Sequence, residues 1–169
     1  MKHGFIGIVN LTPDSFSGDG IYFDVAEAER QAHEHFAAGA SMIDVGAEST
    51  RPGAEPIDYE EEWRRLHPVL RAVALDNPSL ISVDTYHPET VYRIAETIGS
   101  VTINDVTGTN NKQMRRAIVD TGMPVIISHL DKRLGTDIQR GHKEKPTDKL
   151  IRIVDDLQHR VQNLVNKGY

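Results

Sequence analysis

Phe5-Ile-Gly-Ile-Val-Asn-Leu-Thr-Pro-Asp-Ser-Phe-Ser-Gly-Asp-Gly20 decides the fold, because a short apolar strand ends there in an asparagine and opens into a polar loop bracketed by glycines. The run 5–9 shows no strict polar alternation, as expected for a parallel strand covered on both faces, and the C-terminal ends of such strands carry the ligand groups of βα folds. Asn10 sits at that end. Three more strand ends repeat the pattern: Met42-Ile-Asp-Val-Gly-Ala-Glu-Ser-Thr-Arg-Pro-Gly53, Ile81-Ser-Val-Asp-Thr85 and Val101-Thr-Ile-Asn-Asp105. Polar side chains therefore recur along one rim.

Working outward, apolar runs near 5–10, 41–46, 80–84, 101–104 and 124–128 read as strands. They alternate with helical patterns near 24–38, 58–75, 88–98, 111–121 and 148–167, the arrangement that predicts βα units on a parallel sheet. Gly39, Gly99 and Gly122 follow helical runs where a left-handed residue closes the last turn, and Thr147-Asp148 offers N-capping side chains after Pro146. Glu60-Glu61-Glu62 reads as a helix first turn, and Tyr86-His87-Pro88 as a helix start. No G-x-G-x-x-G or G-x-x-x-x-G-K-[ST] fingerprint occurs, which counts against dinucleotide and nucleoside triphosphate binding. The expected fold is an α/β (β/α)8 TIM-barrel type, truncated to about five βα units, since a full barrel takes about 250 residues. Its first and fifth strands would then lack outer neighbours.

The composition agrees. With 169 residues, 38% hydrophobic and 26% charged, the chain suits one globular domain over 1–169. Net charge is −6, and the basic residues are scattered apart from Lys132, Arg133, Arg140, Lys143 and Lys145, so nucleic acid is not expected as a partner. The absence of cysteine excludes disulfides, thiolate metal sites and a cysteine nucleophile. No apolar run approaches the roughly 20 residues that span a bilayer and no signal peptide pattern is present, so a cytoplasmic location without membrane contact is expected.

Four motifs together resemble the dihydropteroate synthase family of pterin-binding barrels: N-L-T-P-D-S-F-S at 10–17, I-D-V-G-A-E-S-T-R-P-G at 43–53, S-V-D-T at 82–85 and I-N-D-V-T-G at 103–108. The resemblance implies a transferase that condenses 6-hydroxymethyl-7,8-dihydropterin diphosphate with 4-aminobenzoate, releasing pyrophosphate, in folate biosynthesis, with Mg²⁺ as cofactor. It implies Asn10 as the metal ligand, Asp84 and Asn104 as pterin contacts with Val106 as apolar lining, and Thr50 and Arg51 as positioning groups for diphosphate or the aminobenzoate carboxylate, walled by Phe16 and Pro52. A family member would continue with a D-P-G strand, a lysine-bearing strand and an R-x-H strand. Against that pattern the C-terminal part is missing here, the chain ending at Asn166-Lys-Gly-Tyr169.

Each residue also has an ordinary reading. Asn10 can cap its own loop, Asp84 can N-cap the helix near Pro88, Asn104 can serve as a turn amide, and Arg51-Pro52 can belong to an exposed turn. The chemistry nonetheless suits the site. An amide oxygen is a hard ligand compatible with Mg²⁺, and the pterin's 2-amino-4-oxo edge needs both acceptors and donors. The loops 12–20 and 49–57, rich in Gly, Pro, Ser and Asp, are expected to close over substrate. Two departures from the family pattern stand out. The loop acid is Asp19 in Ser17-Gly18-Asp19-Gly20, displaced by one residue, and Ser128-His129-Leu130 replaces an M-H-M run, so the pocket floor at Ser128 should be smaller and more polar. His33 and His35 cannot share a helical face as ligands, and His3, His67, His87, His142 and His159 read as surface or capping residues.

Two competing functions follow. One is a catalytically inactive truncated or split fragment that binds pterin weakly at most and needs a complementing C-terminal segment. The other is a pterin-binding methyl-transfer domain, which the first two loops oppose. Full-length relatives imply a homodimer.

Overall fold

The computed structural model describes residues 4–12, 24–48, 55–74, 77–129 and 145–169. Within them five strands form one parallel sheet in the order β1-β2-β3-β4-β5, each strand beside its sequence neighbour: β1 Phe5–Asn10, β2 Ala40–Gly46, β3 Ile81–Asp84, β4 Thr102–Asp105 and β5 Val125–Ile127. The helices between and after them are α1 Val25–Ala37, α2 Tyr59–Val73, α3 Pro88–Thr97, α4 Lys112–Thr121 and α5 Pro146–Val165. Sequential strands that are also spatial neighbours are the arrangement of a (β/α) barrel wall, and differ from the crossed order of a doubly wound sheet. Among the described residues β1 and β5 each pair on one side only, as expected for five units.

Helix boundaries follow local chemistry. Asp24 accepts from Ala26 N at 2.9 Å, Asp58 from Glu61 N at 2.8 Å and Asn111 from Gln113 N at 2.8 Å, each satisfying an orphan N–H of a first turn. Gly39, Gly99 and Gly122 all have positive φ past a helix end, as the sequence predicted. Two features differ from that reading. A 3-10 turn at Pro78–Leu80, capped by Asn77, leads into β3. Helix α5 begins at Pro146 with Lys145 as its N-cap and no side-chain cap bond, so Thr147 and Asp148 lie inside the first turn instead of capping it.

The core fills the space between sheet and helices. Val9, Ile43, Val45, Ile81, Val83 and Ile103 point from the strands toward Ala28, Ala32, Leu66, Leu70, Val91, Ile94, Met114 and Ile118, and all are fully buried or nearly so. The opposite sheet face carries Ile6, Ile8 and Asn10 from β1, which are exposed. That face is open at β1, whereas Ser82 and Thr102 further along it are buried, and it leads to the polar rim.

Candidate active site at the C-terminal rim of the sheet

Register, more than sequence distance, assembles the rim. Asn10 pairs with Gly46, Gly46 with Asp84, Asp84 with Asn104 and Asn104 with Ile126. In-register neighbours in a pleated sheet project to the same face, so these five form one row across the sheet. Gly46 is the notch in that row. A Cβ built there would lie 3.3 Å from Asp84 Cβ, 3.6 Å from Asp84 Oδ2 and 3.8 Å from Asn10 Oδ1, so the missing side chain lets the asparagine and the aspartate lean over the same spot. Leu11 N donates to Gly46 O at 2.7 Å and Thr85 N to Asn104 O at 3.2 Å, pinning the strand exits.

The row beneath consists of Ile8, Asp44, Ser82 and Thr102. Asn104 Nδ2 donates to Asp44 Oδ2 at 3.1 Å, leaving its carbonyl oxygen available. Asp44 Oδ1 and Ser82 Oγ are buried without a hydrogen-bond partner among the described residues. Unpaired buried polar atoms at a rim, costly in a stable core, are where a polar ligand is recognised. Asp44 was not singled out in the sequence; its signal was a carboxylate at the same parity as Gly46 within an otherwise apolar strand.

Burial pushes the Asp84 carboxyl up to about 7, with the negative charges of Asp44, Glu62, Asp105 and Glu48 adding to the effect. Asp84 is not a helix cap, since α3 begins on His87, whose N–H donates to Thr85 Oγ1 at 3.1 Å. Nor does Asn104 tie the following turn. That task falls to fully buried Asp105, which accepts from Thr107 N, Thr107 Oγ1 and Thr109 N at 2.7–2.8 Å. The turn is braced from behind by Arg160 of α5, whose Nη1 donates to Thr107 O and Gly108 O at 2.9 and 2.6 Å and whose Nε donates to Asp156 at 2.7 Å. Gly108, at φ 67°, has a built Cβ position only 2.1 Å from Ser128 O, so no side chain fits.

Behind the second and third strand ends lies another polar group. Glu62 of α2 is 1% exposed and accepts from Thr85 Oγ1 at 2.9 Å and from Thr90 Oγ1. Burial raises its pKa. Glu48 accepts from Tyr86 OH at 2.6 Å, and His87 Nε2 stands 3.6 Å from Glu48 Oε2. The Glu60-Glu61-Glu62 run is thus a first turn, as read, but its third member is a buried anchor. His87, read as a surface or capping residue, caps α3 with its backbone while its ring meets two carboxylates.

Of the predicted site residues, the structure brings Asn10, Asp84 and Asn104 into one row, with half-buried Val106 in the turn directly after Asp105 and half-buried Ser128 directly after β5. Phe16, Asp19, Thr50, Arg51 and Pro52 lie outside the described residues.

A donor and acceptor row at the C-terminal rim of a parallel βα wall defines a small-molecule site of the barrel-enzyme class. The chain belongs to the pterin binding enzyme family, whose model matches residues 6–168. It is 42% identical over 125 residues to the dihydropteroate synthase of Escherichia coli K12, an alignment covering 74% of this chain and 44% of that one. A probable bifunctional folylpolyglutamate synthase/dihydropteroate synthase of Haloferax volcanii is 44% identical over 124 residues, 73% of this chain and 15% of its own length. Among solved structures, Xanthomonas albilineans dihydropteroate synthase with 4-aminobenzoic acid superimposes with a TM-score of 0.81 at 32% identity, covering 98% of this chain and 57% of that one. The Anaplasma phagocytophilum enzyme with bound 6-hydroxymethylpterin-monophosphate gives 0.82 at 34% identity, covering 98% and 63%. The chain spans about half the length of the Escherichia coli relative and somewhat more of these two structures.

Proposed function

We propose that this chain carries the pterin-recognition wall of a dihydropteroate synthase, the transferase that joins 6-hydroxymethyl-7,8-dihydropterin diphosphate to 4-aminobenzoate in folate biosynthesis. The observation that carries the reading is the Asn10, Gly46, Asp84, Asn104 row. Asp84 as a carboxylate accepts the amino and ring N–H groups of the pterin edge, while the Asn104 amide, anchored on Asp44, presents its carbonyl oxygen to the same ligand. Asn10 faces the same spot from β1 and offers a hard oxygen. That donor fits Mg²⁺, which takes one or two protein oxygens together with water and substrate phosphate oxygens. Asn10 would hold the ion, which when bound supplies charge neutralisation to a departing diphosphate.

In the proposed reaction the bond between the pterin methylene and the diphosphate oxygen breaks, and a bond from that carbon to the aminobenzoate nitrogen forms. The nitrogen then loses a proton to solvent. The diphosphate is already a leaving group and needs no covalent nucleophile from the chain, so the protein contributes orientation and charge complementarity. Thr50 and Arg51 are proposed to position the second substrate through charge-assisted bonds, with Phe16, Pro52, Val106 and Ser128 as walls.

A second reading is favoured by one observation: Ile6 and Ile8 are 47% and 59% exposed on the very face that bears the site. On this reading the chain alone binds pterin weakly and turns over only with a complementing C-terminal segment. Isothermal titration with the pterin diphosphate, beside a pyrophosphate-release assay with and without such a segment, tests both. Micromolar binding that is lost in Asp84→Asn supports the pterin wall. Binding no better than millimolar in the folded chain overturns it for this chain by itself.

A further inference from the structure

We propose that Glu48, Glu62 and His87 form a site for a divalent cation of the zinc class, separate from the Mg²⁺ role of Asn10. One donor atom from each of the three lies within 4.8 Å of the others. Glu48 Oε2 and His87 Nε2 are both buried and both lack a hydrogen-bond partner among the described residues, and they face each other at 3.6 Å. That separation is long for a hydrogen bond. It matches two ligands of one tetrahedral ion, which stand about 3.3–3.6 Å apart when each is about 2.0–2.2 Å from the metal. Glu48 and His87 side chains keep only 11% and 17% of their exposure, so bulk water does not satisfy the two atoms.

The surroundings are those of a supported site. Tyr86 OH holds Glu48 Oε1, which leaves Oε2 turned inward, and the Tyr86 and His87 rings lie 4.5 Å apart, restraining the imidazole. Thr85 and Thr90 hydroxyls fix Glu62. Hydroxyl donors orienting ligand carboxylates are the usual outer shell of a metal centre. One imidazole nitrogen with two carboxylates selects a zinc-class ion over Mg²⁺ or Ca²⁺, which prefer all-oxygen sets. Bound there, the ion would tie Glu48, just past the end of β2, to α2 and to the start of α3.

The probe is Co²⁺ added to the full, untagged chain after chelator treatment. One equivalent giving a visible d–d spectrum, displaced by Zn²⁺ but not by equimolar Mg²⁺, is the expected result. His87→Ala and, as a milder change, His87→Gln should weaken Co²⁺ binding at least about 100-fold, each with circular dichroism showing the wild-type fold. His33→Ala, at an exposed position 3.8 Å from Glu29, should change nothing. No spectrum from folded wild-type chain overturns the proposal. So does a spectrum that survives in a folded His87 variant, which would mark an adventitious ion only, or one displaced equally by Mg²⁺.

Discussion

Two regions of the same rim are built on opposite principles. The row facing the open side of the sheet, Asn10, Gly46, Asp84 and Asn104, has few internal bonds: Asn104 reaches Asp44, and Asp44 and Ser82 keep unpaired atoms. The ring behind it is bonded nearly to capacity, with Asp105 taking three donors, Arg160 giving three, and Glu62 taking two hydroxyls. Damage to the bonded ring should unfold the protein, whereas damage to the open row should leave it folded, or firmer, and unable to bind.

Gly108→Ala should do the most damage, because its Cβ would meet the Ser128 carbonyl oxygen, a backbone atom that cannot swing aside. A loss of about 4 kcal/mol, seen as a collapse of the urea midpoint, is expected. Asp84→Asn should do the reverse, costing at least about 100-fold in pterin affinity while raising stability above pH 7 by about 2 kcal/mol after allowance for partial exposure. The sign follows from the carboxyl's folded pKa of about 7 against an ordinary 3.8. Between those values the native state holds the extra proton, so stability falls as pH rises toward 7. Pterin affinity should rise over the same approach, since the ionised form accepts the ligand's N–H groups; a flat profile from pH 5 to 8 would remove that role.

Glu62 sharpens the contrast within the bonded ring. Glu62→Ala strands two buried hydroxyls and should cost about 2–3 kcal/mol, whereas Glu62→Gln keeps an acceptor and should cost under about 1 kcal/mol, read from paired denaturation curves. Asn104→Ala belongs to the open row and should weaken pterin about 10-fold with little change in midpoint. Smallest of all, Arg30→Gln on the solvent face of α1 removes exposed pairs with Glu27 and Glu34 and should shift neither binding nor melting measurably.

Much of the scaffold was legible from local pattern. Among the described residues apolar runs marked the five strands, helical spacing marked the five helices, and glycines marked helix ends that the structure finds at positive φ. The exceptions are instructive: α5 starts on Pro146 because proline is pre-set for a first turn, and the Pro78–Leu80 turn is too short to leave a periodic signal. In the site, Asn10, Asp84 and Asn104 were readable as polar residues closing apolar strands. Asp44 was not, since its place depends on register against Asn104, and His87 was read correctly as a helix-capping position while its ring's place beside Glu48 and Glu62 was not, because those neighbours come from distant positions in the chain.

The amino-acid order by itself determined the βα alternation, the placing of polar groups at strand C-termini and the family motifs, because propensity, capping and apolar periodicity act over a few residues. The fold alone set which of those groups share a row, which acid lies unpaired at the rim and which anchors two buried hydroxyls, and that Gly46 opens space whereas a Cβ at Gly108 would collide with the Ser128 carbonyl. The reason is physical: parallel register and helix packing are set by contacts between segments tens of residues apart, and burial beside other charges, which lifts Asp84, exists only once those segments meet.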